Sequence, residues 1–155
     1  MILILGYGNP LRSDDAVGQQ IARALRFGRG DVEVLTAYQL TPELAEPISR
    51  ARRVVFIDAR VGETPGALFH ELVSPQPGAG AFTHNVTPAS LLGAANELYG
   101  AHPAGLLISV VGADFDYGAE LSPLLSRALP GIADQVQAII ESTVQVYGCE
   151  EESDA

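Results

Sequence analysis

Three side chains at separate positions have the chemistry of a metal or acid–base site: Asp15, Asp58 and His84. Asp15 stands near the start of a predicted helix, Asp58 follows an apolar run, and His84 follows a segment rich in glycine and proline. Two carboxylates and one imidazole suit a divalent first-row metal ion. The three residues form no contiguous motif, so the hypothesis depends on a fold that brings them together.

Neighbouring polar residues have simpler structural explanations. Asp14 is predicted to cap the first helix, because the helix dipole favours acids in its first turn. Asp58 could likewise cap the loop that follows it. His70, in a predicted edge strand, and His102, between two elements, are expected to be exposed surface residues.

The apolar pattern predicts the elements that would position these residues. Strands are predicted over residues 2–5, 32–35, 53–57, 67–73 and 106–111, the fourth of them an edge strand that could run antiparallel. Helices are predicted from a cap at Ser13 to about 28, from about 42, over 88–99 and over 131–147. This alternation predicts a three-layer α/β/α domain with a five-stranded, mostly parallel twisted sheet and helices on both faces.

In such a sheet, functional sites lie at the carboxyl ends of the strands. Two parts of the sequence meet this condition. The loop after the first strand contains residues 9–15, and Asp58 comes directly after the third strand. We therefore expect Asp15 and Asp58 to face the same edge of the sheet.

Length and composition narrow the class of protein. The 155 residues fit one domain, predicted over 1–149, followed by an acidic tail over 150–155. The net charge is −10, and the nine basic residues are all arginines without clustering, which argues against nucleic acid or membrane as a partner. A single cysteine excludes thiolate-rich metal sites, and the short apolar N-terminus does not resemble a signal peptide, so a cytoplasmic location is expected.

Other site chemistries are less consistent with the sequence. Gly6 and Gly8 precede a helix as in a dinucleotide-binding fingerprint, but Leu11 occupies the place of the third glycine. These glycines more simply allow a sharp turn beside a site, although phosphate binding by residues 6–9 is kept as a weaker alternative. No G-x-S-x-G motif is present, and Cys149 lies far from any strand end.

The sequence resembles a known family at several places in order. Residues 4–18, ILGYGNPLRSDDAVG, resemble the opening signature of the nickel–iron hydrogenase maturation proteases. Residues 54–59 are similar to the family's apolar strand ending in D-A, and residues 83–86 to the segment that carries its histidine. Gly112 and residues 119–123 are similar to its G…G-L-S-P stretch, so the resemblance covers nearly the whole chain.

The resemblance implies a cytosolic endopeptidase that removes a C-terminal extension from the nickel-loaded large-subunit precursor of a hydrogenase. It implies that Asp15, Asp58 and His84 contact the metal, and that the precursor supplies the nickel. Either carboxylate could act as the base for an attacking water. The alternative is a non-catalytic checkpoint protein that binds nickel and the precursor through the same residues.

One segment departs from the family pattern. Residues 36–43 read TAYQLTPE where the family commonly has D-G-G-T-x-G. If this loop helps to select the precursor, the difference leaves open which class of hydrogenase is processed.

Overall fold

The computed structural model describes the backbone of residues 1–78 and 85–153, and the side chains of these residues up to 143. His84 therefore lies outside the described residues. In the part of the chain that is described, no helix is long and apolar enough to cross a membrane.

Five strands form one sheet, in the order β2-β1-β3-β5-β4. They are β1 (Ile2–Tyr7), β2 (Val32–Ala37), β3 (Arg53–Arg60), β4 (Leu68–Val73) and β5 (Ala104–Val111). The pairs formed by β1, β2, β3 and β5 are parallel, whereas β4 pairs antiparallel with β5 at the edge. The predicted five-stranded, mostly parallel sheet with an antiparallel edge strand is confirmed.

Helices cover both faces of this sheet and complete the three predicted layers. They are α1 (Val17–Ala24), α2 (Ala45–Ser49), α3 (Pro88–Tyr99) and α4 (Pro123–Ser153), with 3₁₀ turns at Ser13–Ala16 and Pro42–Leu44. On one face, Ile4 and Ile57 of the sheet pack in one buried cluster with residues of α1 and α4. On the other face, Leu5 and Phe56 pack in a second buried cluster with residues of α2 and α3. Because β1 is buried on both faces, its apolar run is continuous rather than alternating.

The expected end of the third strand at Asp58 is wrong. β3 continues to Arg60 because its last residues stay paired with β5, where Asp58 aligns with Ser109. On its other side, β3 pairs with β1 only as far as Ile57. Asp58 therefore lies inside a strand and still at the carboxyl edge of the sheet, just beyond the pairing with β1.

The predicted bounds of the last helix are also wrong. α4 begins at Pro123 rather than at residue 131, and it continues beyond Gly148 to Ser153. Proline is well suited to the first helical position, where no backbone N–H is required. Pro130 lies inside the helix on its exposed side, and the turn before it buries Leu125 completely in the core. Core packing thus outweighs the hydrogen bond that proline cannot make.

Glycines allow α1 to approach the sheet much more closely than a side chain would permit. A Cβ at Gly18 would lie 2.3 Å from the carbonyl oxygen of Ile57 and 2.7 Å from that of Tyr7. Gly6 faces the backbone of Gly18 in the same contact, and Gly8 adopts a φ of 148° against the backbone of Asp15. The interpretation that Gly6 and Gly8 allow a sharp turn is confirmed for Gly8, whereas Gly6 lies in β1 and allows the close packing of α1 instead.

Replacing Gly18 with alanine tests this contact. We expect Gly18→Ala to lower the free energy of unfolding by about 3 kcal/mol or more, because the new methyl group meets backbone that cannot move aside. Chemical denaturation measures the change. Gly131→Ala is the matched control, since nothing lies within 4 Å of its Cβ, and in a helix this substitution should stabilise by about 0.5 to 1 kcal/mol. A Gly18→Ala protein as stable as wild type would contradict the contact.

Candidate functional site

A pocket of about 660 Å³ opens at the carboxyl edge of β1 and β3. Tyr7, Gly8, Asp15 and Asp58 line its inner part. Residues 38–42, after β2, form one side, and residues 85–88, before and at the start of α3, form the other. The sheet edge at which a site was predicted therefore carries a pocket, and both predicted carboxylates line it.

The register of two neighbouring strands places Asp58 beside Tyr7. Leu5 of β1 aligns with Phe56 of β3, and both side chains belong to the core cluster under α2 and α3. Side chains two residues apart lie on the same face of a strand. Tyr7 and Asp58 are the next residues on that face, so the apolar row ends in a phenol next to a carboxylate.

One backbone hydrogen bond anchors the Asp58 carboxylate, since the N–H of Ala59 donates to Oδ1 at 2.7 Å. The hydroxyl of the buried Tyr7 is the side-chain donor that lies beside the same carboxylate. Burial, followed by the charges of Asp58 and Asp15 and the hydrogen bond to Asp58, raises the pKa of Tyr7 well above its usual value. Tyr7 is therefore a hydrogen-bond donor at any physiological pH.

Asp58 is a weaker acid than an exposed aspartate. Burial raises its pKa to about 6, although the hydrogen bonds from the Ala59 amide and the Tyr7 hydroxyl act in the opposite direction. The negative charge of Asp15 raises it further. The two carboxylates are thus close enough to interact electrostatically, as a shared cation site would require.

Asp15 is held by the loop that follows β1. The backbone N–H of Asn9 donates to its Oδ2 at 2.7 Å, and the Asn9 side chain accepts from the Leu11 amide at 2.9 Å. The Gly8 amide donates to the carbonyl of Ala37 at 3.1 Å. Because the amides of residues 8 and 9 are bonded inside the protein, this loop is poorly suited to phosphate binding, the weaker alternative.

The prediction that Asp14 caps its own helix is wrong. Its fully buried carboxylate accepts backbone N–H groups from a distant loop: Ala113 at 2.7 Å, Asp114 at 3.0 Å and Ser122 at 2.7 Å. Burial acts to raise its pKa, but these bonds outweigh burial and lower it. Asp14 is therefore a structural anchor between the 3₁₀ turn and residues 112–122, and this explains why the 119–123 stretch accompanies the first motif.

Ser13 does not cap the helix either. It lies inside the 3₁₀ turn with a φ of 52°, and its hydroxyl donates to the carbonyl of Asp116 at 2.9 Å. Its amide donates to the carbonyl of Gly118 at 3.0 Å. Both bonds join residues about 100 positions apart, which local helix-start patterns could not reveal.

The other two histidines of the sequence lie outside the pocket. His70 on β4 and His102 are exposed, as predicted. Within residues 1–78 and 85–153, no cluster of three or more His, Cys, Asp or Glu side chains is found. The described part of the predicted trio is thus Asp15 and Asp58, and Asn85, which follows His84 in sequence, lines their pocket.

Sequence reasoning missed Tyr7 as a site residue and the position of the divergent loop. Tyr7 lies between Gly6 and Gly8, the glycines interpreted as allowing a turn, and its position beside Asp58 follows only from the register between β1 and β3. The segment 36–43 was considered separately from the predicted ligands, yet five of its residues, 38–42, line their pocket. The departure of this segment from the family pattern therefore alters one side of the pocket and leaves the two carboxylates unchanged.

Comparison with known proteins finds solved structures with a similar fold. The sequence matches no protein-family model and no curated protein. The hydrogenase maturating endopeptidase HybD from Escherichia coli has a similar structure, with a TM-score of 0.68 and 26% identity over 92% of this chain and 93% of HybD. A solution structure of an endopeptidase from Escherichia coli is similar with a TM-score of 0.67 and 27% identity, over 92% of this chain and 93% of that protein.

This chain has the fold of the hydrogenase maturation endopeptidases. The resemblance read from the sequence motifs is thereby confirmed. The maturation protease HycI from Thermococcus kodakarensis shares the same fold at 22% identity, with a TM-score of 0.63 over 90% of this chain and 92% of HycI. The maturation endopeptidase fold thus spans about nine-tenths of the chain.

The raised pKa of Asp58 predicts a characteristic pH dependence of stability. The folded protein holds this proton more tightly than the unfolded chain, so the free energy of unfolding falls as the pH rises from about 4 through about 6. Above pH 6, we expect Asp58→Asn to be more stable than wild type by on the order of 1 to 3 kcal/mol, since a tenfold difference in proton affinity is worth about 1.4 kcal/mol. Below about pH 4 the difference in stability between Asp58→Asn and wild type should vanish, because Asp58 is then protonated in both the folded and the unfolded state.

Denaturant unfolding between pH 4 and 8 measures this difference. Asp134→Asn, on the exposed side of α4, is the control for removing one negative charge. An Asp58→Asn variant less stable than wild type at pH 7.5 would contradict the assignment of Asp58 as an aspartate strained by burial.

Proposed function

We propose that this protein is an endopeptidase that removes a C-terminal extension from the nickel-loaded large-subunit precursor of a nickel–iron hydrogenase. The observation that supports this most directly is the pair Asp15 and Asp58 in an open pocket of a maturation endopeptidase fold. The two carboxylates can contact one cation together, and either of them can accept a proton from water.

The form of the pocket suits a peptide segment. Its volume is that of a typical ligand site, and it is open to solvent on one side. Tyr38, Leu40 and Pro42 provide apolar surface on one side, and Val86 and Pro88 provide it on the other. An extended chain could therefore pass between the two sides with one peptide group beside the carboxylates.

The donor set suits nickel that arrives with the substrate. Carboxylate oxygens and one imidazole bind first-row divalent ions with moderate strength, whereas thiolates bind nickel more tightly. A site built from Asp15 and Asp58, with His84 as the third ligand that the resemblance implies, would contact nickel without removing it from its thiolates. Nickel held in this way would fix the position of the precursor and polarise the group next to it.

Hydrolysis then requires one proton acceptor from this chain. A water oxygen adds to the carbonyl carbon of the scissile peptide while one carboxylate, Asp15 or Asp58, takes a proton from that water. The same carboxyl group returns the proton to the leaving nitrogen as the C–N bond breaks. The products are the mature subunit and the released C-terminal peptide.

Single substitutions of the three residues test the proposal. Purified protein is incubated with nickel-loaded precursor, and the mass of the precursor is measured over time. We expect loss of the C-terminal peptide with wild type, and a decrease in rate of at least about 100-fold in Asp15→Asn, Asp58→Asn and His84→Ala, because acid–base catalysis alone contributes about 10² to 10⁴. His102→Ala, an exposed histidine, is the control and should cleave normally.

Two results would contradict the proposal. Unchanged cleavage by His84→Ala would remove this residue from the site. A stable complex of wild type with the precursor, without any loss of mass, would instead support the non-catalytic checkpoint protein.

A further inference from the structure

Tyr7 lines the same pocket as Asp15 and Asp58, and the register of β1 and β3 places its hydroxyl beside the Asp58 carboxylate as a side-chain donor. We propose that Tyr7 is a positioning residue that fixes the orientation of the Asp58 carboxylate in the pocket that it shares with Asp15. This inference rests on the proposed function only in taking Asp58 as the group that contacts the substrate's nickel or the attacking water.

The Tyr7 ring is well placed to act as a fixed donor. Only 8% of the residue is exposed, and the ring belongs to the buried cluster that includes Leu5, Phe56 and Leu91. Close-packed core side chains keep a single rotamer most of the time. The hydroxyl at the end of an immobile ring therefore has a defined position at the edge of the pocket.

Asp58 needs such a donor because its other bond does not fix its orientation in the pocket. The Ala59 amide, on the adjacent residue, binds Oδ1 and anchors the carboxylate from the strand side. The negative charge of Asp15 also acts on the Asp58 carboxylate. A donor on the pocket side, the Tyr7 hydroxyl, would fix the orientation of the carboxylate, in the way that hydrogen bonds behind metal ligands orient them.

A buried tyrosine can also be an ordinary core residue whose hydroxyl has simply found a partner. The strand register argues for the more specific role. Tyr7 is the residue of β1 that continues the row after Leu5, and Asp58 continues the aligned row of β3. The phenol thus occupies the boundary between apolar core and pocket, where a phenylalanine would fill the same space without the donor.

Tyr7→Phe removes the hydroxyl and keeps the ring. The primary readout is the χ1 distribution of Asp58, measured by three-bond NMR couplings in the enzyme alone. We expect one rotamer in wild type and averaging between rotamers in Tyr7→Phe. Titration of the enzyme alone with Ni²⁺ should show affinity about 10- to 100-fold weaker, and kcat/KM for precursor cleavage should fall by a similar factor.

Tyr99→Phe is the matched control, because Tyr99 is half exposed at the far end of α3 from the pocket. It should leave the Asp58 rotamer, nickel affinity and kcat unchanged. Denaturant unfolding of Tyr7→Phe verifies that the protein remains folded. An Asp58 rotamer that stays fixed in folded Tyr7→Phe overturns the proposal. If wild type cleaves no precursor, the proposed function fails, while the rotamer measurement still decides the role of Tyr7.

Discussion

The site depends on one packing constraint, the contact between the first turn of α1 and the ends of β1 and β3. At this contact the backbone of Gly18 lies against the carbonyl oxygens of Tyr7 and Ile57, with no space for a Cβ. The 3₁₀ turn just before α1 is thereby held above the sheet edge. Asp15 can interact with Asp58 because of this short distance between helix and sheet. A bulkier contact would separate the two carboxylates although both would still be present.

A second set of bonds holds the same turn from the opposite side. The buried carboxylate of Asp14 accepts three amides from residues 113–122, and Ser13 binds residues 116 and 118. In a 3₁₀ turn, consecutive side chains point about 120° apart. The two adjacent aspartates therefore have different roles. Asp14 accepts hydrogen bonds from backbone amides of the protein, whereas Asp15 lines the pocket.

The sequence predicted the features that depend on local pattern. Apolar runs located all five strands, and the rule that sites lie at carboxyl ends of parallel strands selected Asp15 and Asp58. Features that depend on contacts between distant residues were not predictable. Asp14 has partners about 100 residues away, and the role of Tyr7 follows from strand register. The start of the last helix was expected at residue 131 rather than at Pro123, because the packing of Leu125 cannot be read from the helix pattern alone. The place of His84 in the site stays a prediction.

The two parts of the pocket differ in how readily their residues can be substituted. Its inner part lies on backbone that is closely packed at Gly8 and Gly18, where a Cβ would meet other backbone atoms. Its side at residues 38–42 is a connection after β2 in which Tyr38 is 72% exposed, and exposed connections tolerate exchange. Substitutions can therefore accumulate in residues 38–42 while the two carboxylates keep their geometry. The surface around the carboxylates can thus change without any change in the backbone that positions them.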